Sequence, residues 1–253
     1  MILVILAIYN EEKSIRQLVK NLRHSLKNDE YKIIAVDDGS SDDSLRILTE
    51  LKGEDIIIAQ HKVNLSIGAV FSTGFNVAIQ EARNDDDVVV LMESDQTSDI
   101  ELLKRLIDEI RINGSDIAIA SRYIKNGGYL NFPLTRKIYS KLANSILKKY
   151  FPIANVSDYT IFYRSYRVSC LKKVMDFFGA YNFIHFRGFV SNSELLIKAA
   201  CFTGKISEIP FKYDYGNKEG KSKLLVLNNI LEYFYFIFSM KKMVGALKKV
   251  PKE

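Results

Sequence analysis

Short, almost uninterrupted apolar runs recur through the first half of the chain, and they constrain its fold more than any other feature. The first run is Ile2–Ile8, and four more follow at residues 31–36, 55–59, 87–92 and 116–120. Runs of this length are typical of parallel strands whose two faces are both covered by helices. The segments between them have helical spacing, so we predict an α/β fold with a mostly parallel, Rossmann-like sheet flanked by helices.

The second half of the chain is richer in Tyr, Phe and Lys, and it contains two further predicted helices. They cover residues 135–150 and 191–200. Ser191 can cap the second of these helices, and Glu194 can complete a capping box with it.

The C-terminal tail has an amphipathic, basic pattern. Residues 224–240 are strongly apolar, but Asn228, Asn229 and Glu232 interrupt them. A carboxylate near the centre of a spanning helix costs about 2.5–3.5 kcal/mol, which makes a membrane span unfavourable. Four lysines follow, namely Lys241, Lys242, Lys248 and Lys249. We therefore predict a helix that either lies on a membrane surface or packs on the rest of the protein.

Composition narrows the class of protein further. The formal net charge of +6 suits a partner that carries phosphate groups, but nothing beyond that charge favours nucleic acid, and no nucleic-acid partner is expected. Cys170 and Cys201 lack CxxC spacing, so neither a disulfide framework nor a zinc site is predicted, and a reducing cytoplasm fits best. The first apolar run ends at Ile8, which is too short for a signal sequence or a membrane span.

Polar clusters follow three of the predicted strands at the points where those strands end. The clusters contain Asn10 and Glu12, then Asp37, Asp38 and Gly39, and then Glu93, Ser94 and Asp95. Because the carboxyl ends of parallel strands open on one crevice, these side chains should converge. Two carboxylates one residue apart project with the same sense and can hold a hard divalent cation beside a diphosphate. The sequence therefore predicts a Mg²⁺ or Mn²⁺ site at Glu93 and Asp95.

Further residues join these clusters in a fixed order along the chain. They are Tyr9, Asn64, Gly68, Gly74, residues 121–123, Gly127, Gly128, Arg136, Ser140, Asn144 and residues 158–160, 208–210 and 220–223. The ordered set resembles the inverting family 2 glycosyltransferases of the GT-A fold. Within that family it is most similar to polyprenyl-phosphate sugar transferases such as dolichyl-phosphate mannose synthase.

The resemblance implies a metal-dependent enzyme that moves a sugar from a GDP- or UDP-sugar to a polyprenyl or dolichyl phosphate. The nucleotide would be bound by Ile8, Asn10, Glu12, Asp37, Asp38, Gly39, Glu93, Ser94 and Asp95. The acceptor phosphate would be bound by Arg136, Ser140 and Lys223, and catalysis would require Asp95, Arg122 and Arg136 as well. Arginine and lysine are the cations that phosphate recognition requires.

Three positions depart from the family pattern. Glu93 stands where Asp is usual, Thr97 stands where Gln is expected, and Asn217 stands where Arg is expected. The sugar, the nucleotide base and the acceptor are therefore left open.

The nature of the acceptor decides whether a base is needed. A lipid phosphate is already anionic near neutral pH, whereas the hydroxyl of a growing glycan would need a carboxylate to take its proton. Glu194 and Asp158 are the candidates for that second case. A third hypothesis for the function is a non-catalytic protein that binds a membrane surface. A Rossmann oxidoreductase is excluded because the GxGxxG motif is absent after the first strand.

The resemblance also divides the chain. We expect a GT-A domain over residues 1–223, with a nucleotide-binding half at about 1–122 and an acceptor half at about 123–223. Residues 224–253 would form the amphipathic, basic helix. The protein is expected to be cytoplasmic and peripheral at the cytoplasmic face of the membrane.

Overall fold

The computed structural model describes residues 1–217 and 226–247, and side chains within 1–216 and 232–245. The strands are β1 Ile2–Ile8, β2 Tyr31–Asp37, β3 Ile56–Gln60, β4 Val88–Glu93, β5 Ile117–Ser121, β6 Gly128–Leu130, β7 Arg164–Arg167, β8 Ile206–Pro210 and β9 Lys212–Asp214. The α-helices are α1 Ile15–Ser25, α2 Ser44–Leu51, α3 Ile67–Glu81, α4 Ile100–Arg111, α5 Leu134–Tyr150, α6 Val168–Phe178, α7 Val190–Ala199 and α8 Val226–Leu247. The predicted residues Lys223, Lys248 and Lys249 lie outside the described residues.

Seven strands form one sheet in the order β3-β2-β1-β4-β7-β5-β8, and β6 pairs with β9 in a small second sheet. Every pairing in the large sheet is parallel except those of β7, which runs antiparallel to both β4 and β5. The five predicted strands agree with the observed ones to within one residue at each end. The prediction of a mostly parallel α/β sheet flanked by helices is confirmed.

The core lies between the sheet and the helices on its two faces. Ile2, Leu3 and Ile5 of β1 are fully buried, and burying an aliphatic side chain of this size stabilises the fold by about 1.5–3 kcal/mol. Helix α3 packs closely on the sheet, because a Cβ on Gly74 would lie 2.5 Å from Cγ2 of Ile5. This close packing fixes the position of the α3 N-terminus at the carboxyl edge of the strands.

The register of β1 with its neighbours brings the predicted clusters together. Ile8 pairs with Asp37 of β2, and Ala7 pairs with Glu93 of β4. The polar residues that follow these three strands therefore emerge side by side at one edge of the sheet.

The predicted capping box of α7 is wrong. The helix begins one residue early, at Val190, and Phe189 occupies the N-cap without a side-chain hydrogen bond. Glu194 is 1% exposed and accepts hydrogen bonds from the amides of His185 and Phe186, both at 2.9 Å, instead of turning back to the helix start. A buried carboxylate needs several donors, and the segment before the helix supplies them.

The tail helix α8 packs on α5 and α7 along one face and is exposed on the other. Phe236 is fully buried, and its ring lies 5.0 Å from that of Phe186 and 6.0 Å from that of Phe151. Phe234 and Phe238 are exposed on the opposite side. The helix therefore packs on the rest of the protein, and its placement on a membrane surface stays a prediction. Among the described residues, no helix combines the length and apolarity needed to cross a bilayer.

Candidate active site

The loops after β1 and β2 are tied to each other by the polar side chains of the first cluster. Asn10, with a φ of 54°, accepts a hydrogen bond from the amide of Ser41 at 2.8 Å, and its own amide donates to Ser40 Oγ at 2.9 Å. The amide of Asp43 donates to Glu12 Oε2 at 3.1 Å. Asn10 and Glu12 therefore shape the nucleotide-side loops through bonds within the protein, and their contact with a nucleotide stays a prediction.

Asp37 and Asp38 follow one another but differ in how their carboxylates are satisfied. Asp37 is fully buried, and its Oδ1 has no hydrogen-bond partner in the protein. Asp38 accepts from the amides of Leu65 and Ser66 at 2.9 and 3.0 Å. Because an unsatisfied buried acceptor is unfavourable, Asp37 Oδ1 is suited to receive a donor from a ligand.

Gly39 is required by both its conformation and its surroundings. Its φ is +68°, and a Cβ at this position would lie 2.5 Å from the carbonyl carbon of Val63. The loop after β2 is therefore pressed against the loop after β3. Ile8 is buried at the base of this arrangement, and its carbonyl accepts the amide of Asp38 at 2.8 Å.

The acidic motif after β4 is held by two hydroxyl side chains. Ser98 Oγ donates to Glu93 Oε2 at 3.0 Å, and Thr97 Oγ1 donates to Asp95 Oδ1 at 2.5 Å. Thr97, one of the departures from the family pattern, thus supports the second carboxylate of the motif. Ser94 between them is buried, with an Oγ that has no protein partner.

The donor set of this motif fits a hard divalent cation that shares its ligands with a diphosphate. Within the described part of the chain, no three His, Cys, Asp or Glu side chains converge as a metal cluster. Glu93 and Asp95 would therefore supply carboxylate oxygens, and phosphate and water oxygens would complete the coordination of Mg²⁺ or Mn²⁺.

Tyr213 adjoins the acidic motif and was not predicted from the sequence. Burial raises its pKa above the ordinary value, and the negative charges of Glu93 and Asp95 raise it further. Its ring also lies 5.9 Å from the guanidinium of Arg122. Tyr213 therefore links the acidic motif to the arginine, and nothing in the sequence around it indicates this position.

Arg122 is buried in an ion pair, instead of opening freely on the crevice. Its Nε and Nη2 each donate to the fully buried carboxylate of Asp158 at 2.7 Å, and Nη2 also donates to Thr160 at 2.8 Å. The rings of Tyr123 and Tyr129 lie 5.5 and 5.2 Å from the guanidinium. Burial by itself lowers the pKa of Arg122, but Asp158 outweighs it and the pKa is raised. The contact of Arg122 with phosphate remains a prediction.

Ser140 and Arg136 lie on α5, where they contact an aromatic cluster that includes Tyr123, Tyr129 and Tyr215. Ser140 Oγ accepts hydrogen bonds from the hydroxyls of Tyr123 and Tyr129, both at 2.9 Å. Arg136 is half-buried, and its Nη1 donates to the hydroxyl of Tyr215 at 3.0 Å. Ser140 is therefore linked to Arg122 through Tyr123 and Tyr129, whereas Arg136 contacts Tyr215, and the third predicted acceptor residue, Lys223, is not described.

Glu194, the predicted base for a hydroxyl acceptor, is enclosed in the protein. Besides its two backbone donors, its carboxylate pairs with Lys198 at 2.6 Å, and Lys198 is itself 2% exposed. Asp158, the other candidate base, forms an ion pair with Arg122. Burial raises the pKa of Asp158, but the charge and hydrogen bonds of Arg122 outweigh that effect and hold it below the ordinary value.

The sheet and its acidic edge define a glycosyltransferase of the GT-A class. The chain belongs to glycosyl transferase family 2, because the model of that family matches residues 3–175.

Two relatives and one solved structure illustrate what the chain is similar to. The dolichol-phosphate mannosyltransferase of Pyrococcus furiosus is 29% identical over 251 residues, which cover 98% of this chain and 66% of that protein. The polyprenol monophosphomannose synthase of Mycolicibacterium smegmatis is 32% identical over 175 residues, 68% of this chain and 63% of that protein. The chain thus spans about two thirds of the length of these relatives.

The solved structure is the glucosyl-3-phosphoglycerate synthase from Mycobacterium tuberculosis in complex with Mn²⁺, uridine diphosphate and phosphoglyceric acid. It superposes with a TM-score of 0.66 at 14% identity and covers 100% of this chain and 80% of its own. At this identity the likeness shows the GT-A fold.

Proposed function

We propose that this protein transfers a sugar, with inversion, from a nucleoside-diphosphate sugar to a polyprenyl phosphate in a reaction that depends on Mg²⁺ or Mn²⁺. The observation that carries the proposal is the strand register, which sets Asp37 and the Glu93–Asp95 motif on either side of the end of β1. The activities named for the two relatives support a lipid-phosphate acceptor. The donor is proposed to be a GDP- or UDP-sugar, and neither the choice between these two bases nor the identity of the sugar is part of the proposal.

The residues of the sheet edge would bind and orient the donor. Asp37 would accept a hydrogen bond from the nucleoside through its unsatisfied Oδ1. Glu93 and Asp95 would hold the cation, and a bound cation supplies charge neutralisation to the departing nucleoside diphosphate. A phosphate oxygen of the acceptor would then attack the anomeric carbon as the bond to the diphosphate breaks.

The acceptor phosphate needs positive charge and no base. Arg136, Ser140 and Lys223 would provide its binding site at the aromatic cluster. A phosphate acceptor is also supported by the surroundings of the two candidate bases. Glu194 and Asp158 are buried and form ion pairs with Lys198 and Arg122, respectively. A glycan hydroxyl would find neither carboxylate ready to take its proton.

Exposed apolar side chains on α5 and on α8 support work at a membrane surface. Leu134, Ile138 and Leu142 recur every fourth residue of α5 and are 71, 56 and 54% exposed. In α8, the rings of Phe234 and Phe238 are 67 and 78% exposed, and Lys241 lies 4.0 Å from the ring of Tyr150 at the end of α5. Apolar side chains flanked by lysines fit the boundary between acyl chains and anionic head groups.

We accordingly propose that residues 1–223 act as the catalytic domain, with the donor bound mainly by residues 1–122 and the acceptor by residues 123–223. Residues 224–253 would hold the enzyme on the membrane, at its cytoplasmic face.

The test is transfer from radiolabelled UDP- and GDP-sugars to polyprenyl phosphate, with Mn²⁺ or with excess chelator. We expect product only with the cation, and loss of at least about a hundredfold in Asp95→Ala, since preorganised charge of this kind contributes several kcal/mol to catalysis. Asp108→Ala, which removes an exposed carboxylate of α4, is the matched control and should be fully active. Full activity in chelator would contradict the metal requirement.

The acceptor is tested by comparing polyprenyl phosphate with the free polyprenol. Only the phosphate should accept the sugar, and Arg136→Ala should impair transfer while retaining donor affinity. Transfer to a saccharide hydroxyl in preference to the lipid phosphate, lost in Glu194→Gln, would establish the glycan-extending alternative. Membrane binding without turnover of any donor would favour a non-catalytic protein.

A further inference from the structure

His61 links the ends of β2 and β3 to α3. These strand ends lie at the edge of the sheet where the donor is proposed to bind, which we call the donor edge. The residue directly follows β3, and its side chain is 10% exposed. Its Nδ1 lies 2.7 Å from Asp38 Oδ1, and its Nε2 lies 2.9 Å from the hydroxyl of Thr73 in α3. Since a carboxylate can only accept, Nδ1 carries a hydrogen, and in the neutral ring Nε2 accepts from Thr73. The imidazole therefore fixes the carboxylate of Asp38 relative to α3.

The carboxylate that His61 holds is itself attached to a strained turn. Asp38 accepts the amides of Leu65 and Ser66, and Ser66 has a φ of 78° and a ψ of 163°. This region of backbone conformation is populated almost only by glycine, and other residues persist in it only where their surroundings enforce it. The amide of Ser66 is held by Asp38 Oδ2 at 3.0 Å and by Asn64 Oδ1 at 3.2 Å, and His61 orients Asp38.

The strained turn determines where α3 begins relative to the donor edge. Helix α3 starts at Ile67, directly after Ser66, and the amide of Gly68 donates to the carbonyl of Arg187 at 2.8 Å. On the other side of the turn, Val63 presses on Gly39 and is 63% exposed. A change at Ser66 would therefore move the exposed loop that packs on Gly39, two residues after Asp37.

We propose that His61 is a positioning residue for the donor nucleotide. It acts through Asp38, whose bonds to Leu65 and Ser66 hold the loop after β3 in the shape that the nucleotide meets. The inference rests on the proposed function, because it assumes that this edge binds a nucleoside diphosphate. It also explains why a histidine at a strand end has both ring nitrogens engaged in hydrogen bonds.

The experiment measures the Kd of UDP and GDP in the presence of Mn²⁺ by calorimetry, together with urea unfolding of each variant. His61→Leu should weaken binding about tenfold or more, because it removes a charge-assisted hydrogen bond to Asp38. His61→Asn keeps a donor near the place of Nδ1 and should stay within about threefold of wild type. His24→Leu, on the exposed face of α1, is the matched control and should bind as wild type does.

Rescue separates positioning from general stability. Glycine adopts the Ser66 conformation without strain, so Ser66→Gly in the His61→Leu background should restore the Kd to within about threefold of wild type. If His61→Leu does not fold, Thr73→Val removes one of the two ring contacts at nearly constant volume and gives the same measurement. Its Kd should rise at least about threefold.

The outcomes distinguish the inference from the function on which it rests. A wild-type protein that binds neither nucleotide overturns both. A wild type that binds, with His61→Leu or Thr73→Val binding equally well, overturns the inference alone. The inference is also overturned if His61→Leu binds more weakly and Ser66→Gly does not restore the affinity. The loss of affinity would then have a cause other than the strained turn.

Discussion

Neutralising Asp158 tests whether the ion pair with Arg122 is a structural element of the acceptor half. Asp158 is fully buried and receives Nε and Nη2 of Arg122 at 2.7 Å, as well as the amides of Arg122 and Ile161 at 3.1 Å. Asp158→Asn keeps the shape but leaves a guanidinium buried without its counter-charge. Removing one partner of a buried pair destabilises a protein by about 3–5 kcal/mol.

A loss of this size is a large part of the free energy of unfolding of an ordinary domain, about 5–15 kcal/mol. Urea unfolding at pH 7, followed by circular dichroism, measures it directly. Arg122→Met removes the other charge, and the double variant removes both. Because the two residues interact directly, the double variant should lose less than the sum of the two single losses, by about 2 kcal/mol or more.

The pH dependence gives an independent check on the same pair. Burial raises the pKa of Asp158, but Arg122 reverses this and holds the folded-state pKa below the ordinary value of about 3.9. A depressed folded pKa contributes stability above the unfolded pKa, and that contribution is lost as pH falls through the folded pKa. The difference between wild type and Asp158→Asn should therefore be constant near neutrality and shrink in acid below about pH 4.

Two results would refute this reasoning. A loss under about 1 kcal/mol in Asp158→Asn would mean that Arg122 has another counter-charge or reaches solvent. Additive losses in the double variant would mean that the two side chains do not interact in solution. If Arg122 reaches solvent, it would be available to a phosphate, as the family resemblance implies.

Three further predictions concern the core and the exposed apolar residues of α5. Gly68→Ala should lower the Tm by several degrees in a thermal melt, because its Cβ would lie 2.0 Å from the carbonyl oxygen of Phe186. Lys198→Met should cost about 3–5 kcal/mol in urea unfolding, because it leaves Glu194 buried without its ion-pair partner, and a neutral result would contradict the buried ion pair. Joint replacement of Leu134, Ile138 and Leu142 by Ser should reduce binding to anionic liposomes about a hundredfold, at roughly 1 kcal/mol per side chain. Ile112→Ser, which alters a 75% exposed residue after α4, is its control, and equal liposome binding by the triple variant and this control would contradict a membrane role for α5.

Most of the sheet could be predicted because its parallel strands are apolar on both faces. Strand β7 could not, since its sequence is Arg-Ser-Tyr-Arg. Arg164 is fully buried there and donates to the carbonyl of Asn192 at 2.9 Å, and Ser165 donates to the carbonyl of Leu106 at 2.8 Å. A polar strand is stable in the core only through partners that are distant in sequence, so local patterning cannot reveal it.

Helix α7 is a second place where local sequence patterning does not predict the structure. The sequence placed Glu194 at the start of a helix, where a capping box is the local solution for a carboxylate. In the fold, the amides of His185 and Phe186 and the ammonium of Lys198 surround it instead. Tertiary burial thus overrides the local preference, and the same burial keeps Glu194 out of the reach of a substrate.

The strand-end clusters were predicted as ligand contacts, but carboxylates and amides at such positions can equally hold loops together. Asn10, Glu12 and Asp38 are used in that way, since each makes hydrogen bonds to a neighbouring loop. Two buried polar atoms of these clusters have no protein partner, namely Asp37 Oδ1 and Ser94 Oγ. Asp37 ends β2 and Ser94 follows β4, and these two strands flank β1. Among the strand-end clusters, hydrogen-bonding capacity that the fold leaves unused therefore separates candidate ligand contacts from residues that hold loops together, and it favours this part of the edge for the donor.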